Sequence, residues 1–178
     1  MDDLWSAGTV TTGSRSSFGE ALAAANLITA LMTSELFQQL ILKHYRSPRH
    51  RGVLEGRTIE ASRINAVCGD EVTVRLKVEE SVISEIRFGG QGCSISQAAA
   101  SMMSQRVEGR TLDEARALAV RFREMLRGDT AAASDPALGD LRALVGVGRL
   151  PQRVRCAMLA WEALEEGIDR AGTGTAAS

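Results

Sequence analysis

Residues 72–79 alternate strictly between apolar and polar side chains, and this pattern constrains the fold more than any other in the sequence. The even positions carry valine or leucine, and the odd positions carry threonine, arginine, lysine and glutamate. Because successive side chains of a strand point to opposite faces, the alternation predicts a strand with one buried and one solvated face. Residues 58–64 predict a preceding strand, and residues 86–88 a third one after a tight connection at residues 80–81. We therefore expect a three-stranded antiparallel sheet.

Helical patterns flank these strands on both sides. A first helix is expected to begin at Ser34, a residue type that favours the N-cap, and to end at Ser47-Pro48. The residues expected to form its buried face are Leu36, Phe37, Leu40, Ile41 and Tyr45. After the sheet, the glycine-rich residues 89–92 predict a turn into a second helix over residues 94–107.

Capping signals define the remaining helices. Thr111 and Glu114 form a capping-box pair that opens a helix, and Gly128 is expected to end it. Its expected inward residues are Leu112, Ala115, Leu118, Ala119, Phe122 and Leu126. Proline favours the first turn of a helix, so Pro151 is expected to open the last helix, which should end near Gly167.

The segment between these two helices is expected to contain a loop over residues 129–137 and a short helix over residues 138–145. The order of elements is therefore one helix, three strands and then several helices. This order predicts an α+β fold with the helices packed on one face of the sheet.

Length and composition indicate one domain with an extension. The chain has 178 residues and is 44% hydrophobic, which suffices for one globular core. Residues 1–32 are rich in alanine, serine, threonine and glycine without a sustained period, and we expect them to be disordered, with Met32 an alternative start. The expected domain covers residues 33–170, followed by a flexible tail over residues 171–178.

Charge and cysteine usage limit the partners and the compartment. The 21 basic and 22 acidic residues nearly cancel, so neither nucleic acid nor an anionic membrane is an expected partner. No apolar run reaches the ~20 residues that span a bilayer. The three cysteines cannot all pair within the chain, and no secretory signal pattern opens it, so we expect a soluble, cytoplasmic protein.

Three thiols and one carboxylate are the candidate chemical groups. They lie in Cys68-Gly69-Asp70, at Cys93 after a glycine-rich turn, and at Cys156 in the second turn of the last expected helix. This number and type of donors suits tetrahedral zinc, and the two glycines before or between these residues favour sharp bends. Free cysteine is also common as a small buried hydrophobe, and the long separations leave that interpretation open.

Other residues are weaker candidates. His44 and His50 lie on or just after the first helix, far in sequence from the thiols, and a surface or capping role is expected for both. The segment Gly89-Gly90-Gln91-Gly92 lacks the spacing and the lysine of a phosphate-binding loop, so no nucleotide site is expected.

Over residues 34–168 the sequence resembles the SufU family, the zinc-dependent sulfurtransferase branch of the IscU-like iron–sulfur cluster assembly proteins. Four separated motifs occur in the family's order. They are Leu40-Ile41-Leu42-Lys43-His44-Tyr45 with Pro48-Arg49 and Arg51-Gly52, then Cys68-Gly69-Asp70, then Gly92-Cys93-Ser94-Ile95-Ser96 with Ala100-Ser101-Met102-Met103, and finally Arg153-Val154-Arg155-Cys156 after Pro151.

The resemblance implies an IscU/SufU-like fold in which zinc is held by Cys68, Asp70, Cys93 and Cys156. It implies that Cys68 accepts persulfide sulfur from a SufS-type cysteine desulfurase and that downstream iron–sulfur assembly proteins are further partners.

Two alternatives stay open: a scaffold on which an iron–sulfur cluster is assembled, and a structural zinc protein. Scaffold-type relatives usually have histidine where this chain has Arg155, and they lack an insertion that residues 111–136 resemble. Arginine remains protonated at neutral pH and cannot bind a metal there, which favours the sulfurtransferase.

Overall fold

The computed structural model describes residues 34–174. Within the described residues, those from Phe37 onward lie in one compact unit. The predicted disordered extension, residues 1–32, lies outside the described residues, and so do residues 175–178 of the predicted tail.

Three strands form one antiparallel sheet in the order β1-β2-β3, as predicted. They are β1 (Ile59–Asn65), β2 (Asp70–Glu79) and β3 (Val82–Gln91). We expected residues 89–92 to form a turn. Most of this segment instead belongs to β3, which continues through Gly90 to Gln91. Glu80 and Ser81 form the tight connection between β2 and β3, both with positive φ.

The alternation in β2 produces the predicted two-faced sheet. Val74 lies opposite Ala61 of β1 and Phe88 of β3, and all three side chains are buried. Polar pairs occupy the other face, where Ser62 bonds Thr73 across the strands at 2.8 Å between hydroxyl oxygens.

The helical elements lie before and after the sheet. Those that the structure describes are α1 (residues 34–46), α2 (Ser94–Val107), α3 (Leu112–Leu126), α4 (Thr130–Ser134), a kinked 3-10 segment (Pro136–Arg149) and α5 (Pro151–Gly174). The predicted capping box of α3 is present in both directions between Thr111 and Glu114. Within residues 34–174 no helix is long and apolar enough to cross a membrane.

The core lies between the sheet and the helices. Helix α5 packs against β1 and β2, and α2 packs against β3. Trp161 of α5 is fully buried and stacks on Phe122 of α3, with 5.5 Å between ring centroids. This arrangement sets the N-terminal turns of α5 beside the start of β2.

Two predicted boundaries are wrong. The expected loop over residues 129–137 contains α4, because the Asp129 carboxylate caps it by accepting a hydrogen bond of 2.7 Å from the N–H of Ala132. The last helix does not end near Gly167 but continues to Gly174. A Cβ at Gly167 would lie 2.9 Å from Cδ1 of Leu76, so this glycine provides close packing of α5 on the sheet.

The predicted buried face of α1 is partly wrong. Phe37, Leu40 and Ile41 pack against the core, but Leu36 and Tyr45 are exposed. The fourth position of the buried face is His44, which is 4% exposed and which we had expected at the surface. Its Nδ1 lies 2.8 Å from the Ser101 hydroxyl and its Nε2 3.1 Å from Asp140, so hydrogen bonds compensate its burial.

Candidate metal centre

Cys68 lies in a short turn that joins β1 to β2. The turn is closed by Asn65 and Asp70, which face each other as the last and first residues of their strands. The carbonyl oxygen of Asn65 accepts hydrogen bonds from the N–H of Cys68 at 3.2 Å and of Gly69 at 2.8 Å. Gly69 has a φ of +72°, a conformation in which glycine avoids the strain of a side chain. The turn leaves Cys68 exposed to solvent.

Asp70 is a buried carboxylate at the start of β2, only 3% exposed. Its Oδ1 accepts a hydrogen bond of 2.9 Å from the N–H of Cys93. Its Oδ2 is buried and has no hydrogen-bond partner among residues 34–174. Burial raises the pKa of this carboxyl group, but the Cys93 N–H and the thiols of Cys156, Cys93 and Cys68 outweigh it and hold the pKa below the ordinary value. Asp70 is therefore an ionised carboxylate with one buried oxygen that lacks a hydrogen-bond partner.

Gly92 leaves the space that this carboxylate occupies. A Cβ at position 92 would lie 2.8 Å from both Cγ and Oδ1 of Asp70 and 2.6 Å from the hydroxyl oxygen of Ser96. We had expected Gly92 to serve a backbone bend. Its role in the structure is the close approach of Asp70 to the start of α2.

Cys156 lies in the second turn of α5 and is 1% exposed. Its sulfur is 3.5 Å from the sulfur of Cys68 and 3.7 Å from the carbonyl oxygen of Gln152. Burial raises the pKa of the Cys156 thiol, and the proximity of Asp70, Cys68 and Cys93 raises it further. A metal ion or another positive charge is therefore needed to hold Cys156 as a thiolate at neutral pH.

The structure brings three of the four predicted ligands together. The ligand atoms of Cys68, Asp70 and Cys156 all lie within 4.8 Å of one another. Cys93 is the N-cap residue of α2, and its sulfur is not part of this group. Its backbone N–H nevertheless bonds Asp70, so the fourth predicted ligand is adjacent to the group.

Two residues that sequence reasoning did not assign to the site also contact it. Arg153 lies next to the thiols. The pKa of its guanidinium group is raised above the ordinary value, mainly by the charge of Cys93 and then by interactions with Cys156. Asn65 donates from Nδ2 to the sulfur of Cys156 at 3.8 Å. Each lies three residues before a cysteine, which is one helical turn for Arg153 and one tight turn for Asn65.

An open cavity of about 440 Å³ leads from solvent to the two sulfurs. Residues from the Cys68 turn and from the first turns of α5 line it: Asn65, Val67, Cys68, Pro151, Gln152, Arg153, Arg155 and Cys156. A molecule or a partner's peptide segment can therefore reach Cys68 without any change in the core.

The site fits a zinc ion by three observations. Thiolates and one carboxylate are a donor set that zinc accepts. The Oδ2 atom of Asp70 is buried, polar and without a hydrogen-bond partner, so a metal ion there would satisfy it. The absence of a side chain at Gly92 leaves the room that the Asp70 carboxylate occupies.

The fold and this site define a class of protein. The NifU-like N terminal domain family matches residues 36–172, and the chain belongs to that family. It is 39% identical over 133 residues to the zinc-dependent sulfurtransferase SufU of Bacillus subtilis, a match that covers 75% of this chain and 89% of that protein. It is 41% identical over 138 residues to the iron–sulfur cluster assembly scaffold protein IscU of Streptococcus pyogenes serotype M1, covering 77% and 85%.

Solved structures agree with this assignment. A candidate iron–sulfur cluster assembly scaffold protein for the SUF system, from Fervidobacterium islandicum AW-1, superimposes with a TM-score of 0.67 at 29% identity. The superposition covers 72% of this chain and 93% of that one. The chain is therefore a SufU- and IscU-like protein of iron–sulfur cluster assembly.

Proposed function

We propose that the chain is a zinc-dependent sulfurtransferase that accepts persulfide sulfur on Cys68 from a SufS-type cysteine desulfurase. The observation that carries the proposal is the unequal exposure of two neighbouring thiols. Cys68 and Cys156 have sulfurs 3.5 Å apart, but Cys68 is exposed on a turn whereas Cys156 is buried on a helix. The sulfur of Cys68 is therefore the more accessible of the two to a partner. The relative from Bacillus subtilis, named as a zinc-dependent sulfurtransferase, supports the same reaction.

Cys68, Asp70, Cys93 and Cys156 are the residues that would hold zinc. A bound zinc ion would keep its sulfur ligands as thiolates at neutral pH. Asp70 would bind through the unpartnered Oδ2, because Oδ1 is already bonded to Cys93. The guanidinium group of Arg153 lies beside Cys93 and Cys156 and adds a positive charge to the site.

The sulfur transfer itself conserves electrons. The Cys68 thiolate attacks the outer sulfur of the desulfurase persulfide, and a new S–S bond forms at Sγ of Cys68. The S–S bond within the persulfide breaks, and its electron pair leaves on the desulfurase cysteine, which becomes a thiolate. No external oxidant or reductant is needed. The turn that bears Cys68 can move at lower cost than the helix that bears Cys156.

Persulfide mapping tests this proposal. The full chain is incubated with desulfurase and cysteine, persulfides are trapped by alkylation, and they are located by mass spectrometry. We expect the label on Cys68, and we expect Cys68→Ser to fold but to accept no sulfur. Cys93→Ser and Cys156→Ser are the matched controls, and their first defect should be loss of the bound metal. Label mainly on Cys93 or Cys156, with Cys68→Ser fully active, would exclude Cys68 as the acceptor.

A second candidate, a scaffold that assembles a cluster on the same residues, is favoured by the 41% identity to the IscU protein of Streptococcus pyogenes. Arg155 is exposed at the cavity and offers no metal ligand at neutral pH, which favours the transferase. Metal analysis after anaerobic purification separates the two. One zinc per chain without visible absorption supports the transferase, and iron with sulfide absorption supports the scaffold.

A further inference from the structure

Asn65 accepts hydrogen bonds from three residues of the turn that carries Cys68. Its carbonyl oxygen accepts from the N–H groups of Cys68 and Gly69, at 3.2 and 2.8 Å, and lies 3.9 Å from the sulfur of Cys68, which donates to it. Its side-chain Oδ1 accepts from the N–H of Val67 at 3.2 Å. An asparagine that bonds the backbone two residues onward stabilises a turn, so this one residue fixes where the Cys68 sulfur lies.

The other end of the same side chain contacts the second thiol. Because Val67 offers an N–H, the atom facing it must be oxygen, and the atom facing Cys156 must be the NH₂ group. That group donates to the sulfur of Cys156 at 3.8 Å. Asn65 is 9% exposed, so water competes little for these bonds.

Asn65 therefore makes hydrogen bonds of opposite direction to two neighbouring sulfurs. It offers an N–H donor to Cys156, and on a thiolate held by a metal this donor would stabilise the negative charge and lower the nucleophilicity of that sulfur. It offers a carbonyl oxygen to Cys68, which does not stabilise negative charge there. Of the two sulfurs, 3.5 Å apart, Cys68 is left the more nucleophilic and the easier to detach from a shared partner.

We infer that Asn65 is a positioning residue that selects Cys68 over Cys156 as the sulfur acceptor. This inference rests on the proposed sulfur transfer. It adds to that proposal a cause of selectivity beyond exposure, namely an amide donor to the Cys156 sulfur and a carbonyl acceptor at the Cys68 sulfur.

The test replaces the amide and keeps the turn. In Asn65→Ser the hydroxyl oxygen can still accept from the Val67 N–H, but it is too short to reach Cys156. Asn65→Asp also keeps the acceptor and removes the donor, and it serves if the serine variant does not fold. Gln105→Ser is the matched control, because it makes the same amide-to-hydroxyl change at an exposed position of α2 outside this cavity.

The first measurement is the ratio of persulfide on Cys68 to persulfide on Cys156 after incubation with desulfurase and cysteine. A hydrogen bond to a charged group is strong enough that its loss should lower this ratio about tenfold in Asn65→Ser. Gln105→Ser should keep the ratio of the unmodified protein. An equal ratio in Asn65→Ser and Gln105→Ser overturns the inference.

The second measurement needs no desulfurase. Each full-length protein is loaded with Co²⁺, and the sulfur-to-cobalt charge-transfer absorption is recorded. Loss of an N–H donor to a ligating sulfur should shift this absorption in Asn65→Ser and not in Gln105→Ser. If the unmodified protein accepts no sulfur, the proposed function fails, and the cobalt spectra alone decide whether Asn65 tunes Cys156: a shift supports it, and identical spectra overturn it.

Discussion

The backbone N–H of Cys93 donates a 2.9 Å hydrogen bond to Oδ1 of Asp70, and this bond joins the N-cap of α2 to the first residue of β2. The two residues are 23 positions apart in the chain. The bond leaves Oδ2 as the carboxylate oxygen available to a metal ion, since Oδ2 has no hydrogen-bond partner in the part of the chain that the structure describes. The candidate metal centre and the packing of α2 on the sheet are therefore coupled.

Removal of the metal should lower stability as well as activity. A metal bound only by the folded chain at 100 times its dissociation constant stabilises it by about 3 kcal/mol. For a chain of this length that corresponds to a melting temperature lower by roughly 5–10 °C after chelation. Calorimetry of the zinc-loaded and the chelated protein measures the difference. An unchanged melting temperature after complete removal of zinc would contradict this prediction.

Gly92→Ala should weaken metal binding. The new Cβ would lie 2.8 Å from the Asp70 carboxylate, so either Asp70 or the start of α2 must move, at a cost of about 1–3 kcal/mol. Competition with a chromogenic chelator measures zinc affinity. Gly146→Ala is the matched control, because no atom lies within 4 Å of the Cβ it adds. Equal zinc affinity in the two variants would show that the space at Gly92 is not needed.

The β2–β3 connection offers a stabilising change remote from the thiols. Glu80 and Ser81 have φ of +49° and +63°, a conformation that favours asparagine and glycine. The double change Glu80→Asn with Ser81→Gly should raise the free energy of unfolding by about 1 kcal/mol. Urea unfolding measures it, with metal content as the control. A lower unfolding midpoint would mean that the native side chains stabilise this turn by contacts that outweigh the strain.

Deletion of residues 1–32 should leave stimulation of the desulfurase intact. The segment has no sustained period and carries none of the four candidate ligands. Desulfurase turnover with the full and the shortened chain, at equal zinc content, measures this directly. A large loss of turnover in the shortened chain would identify the segment as a docking arm.

The sequence by itself determined the local elements and the chemical groups. The period of two in β2 and the Thr111–Glu114 capping box are encoded by neighbouring residues, and both are present as predicted. The resemblance carried by four motifs identified the family before any geometry was known. Local signals were missed where short patterns compete, as at Asp129, which caps α4 within a segment that we expected to be a loop.

Only the tertiary structure decided which groups meet and in what environment. Cys68 and Cys156 are 88 positions apart, and their sulfurs lie at 3.5 Å because α5 packs across the sheet beside the β1–β2 turn. His44 is buried where α1 meets α2 and the 3-10 segment, and Gly92 is needed where the start of α2 approaches Asp70 of β2. A sequence pattern reports periodicity along one element, whereas burial and proximity depend on how several elements pack, and no local pattern contains that information.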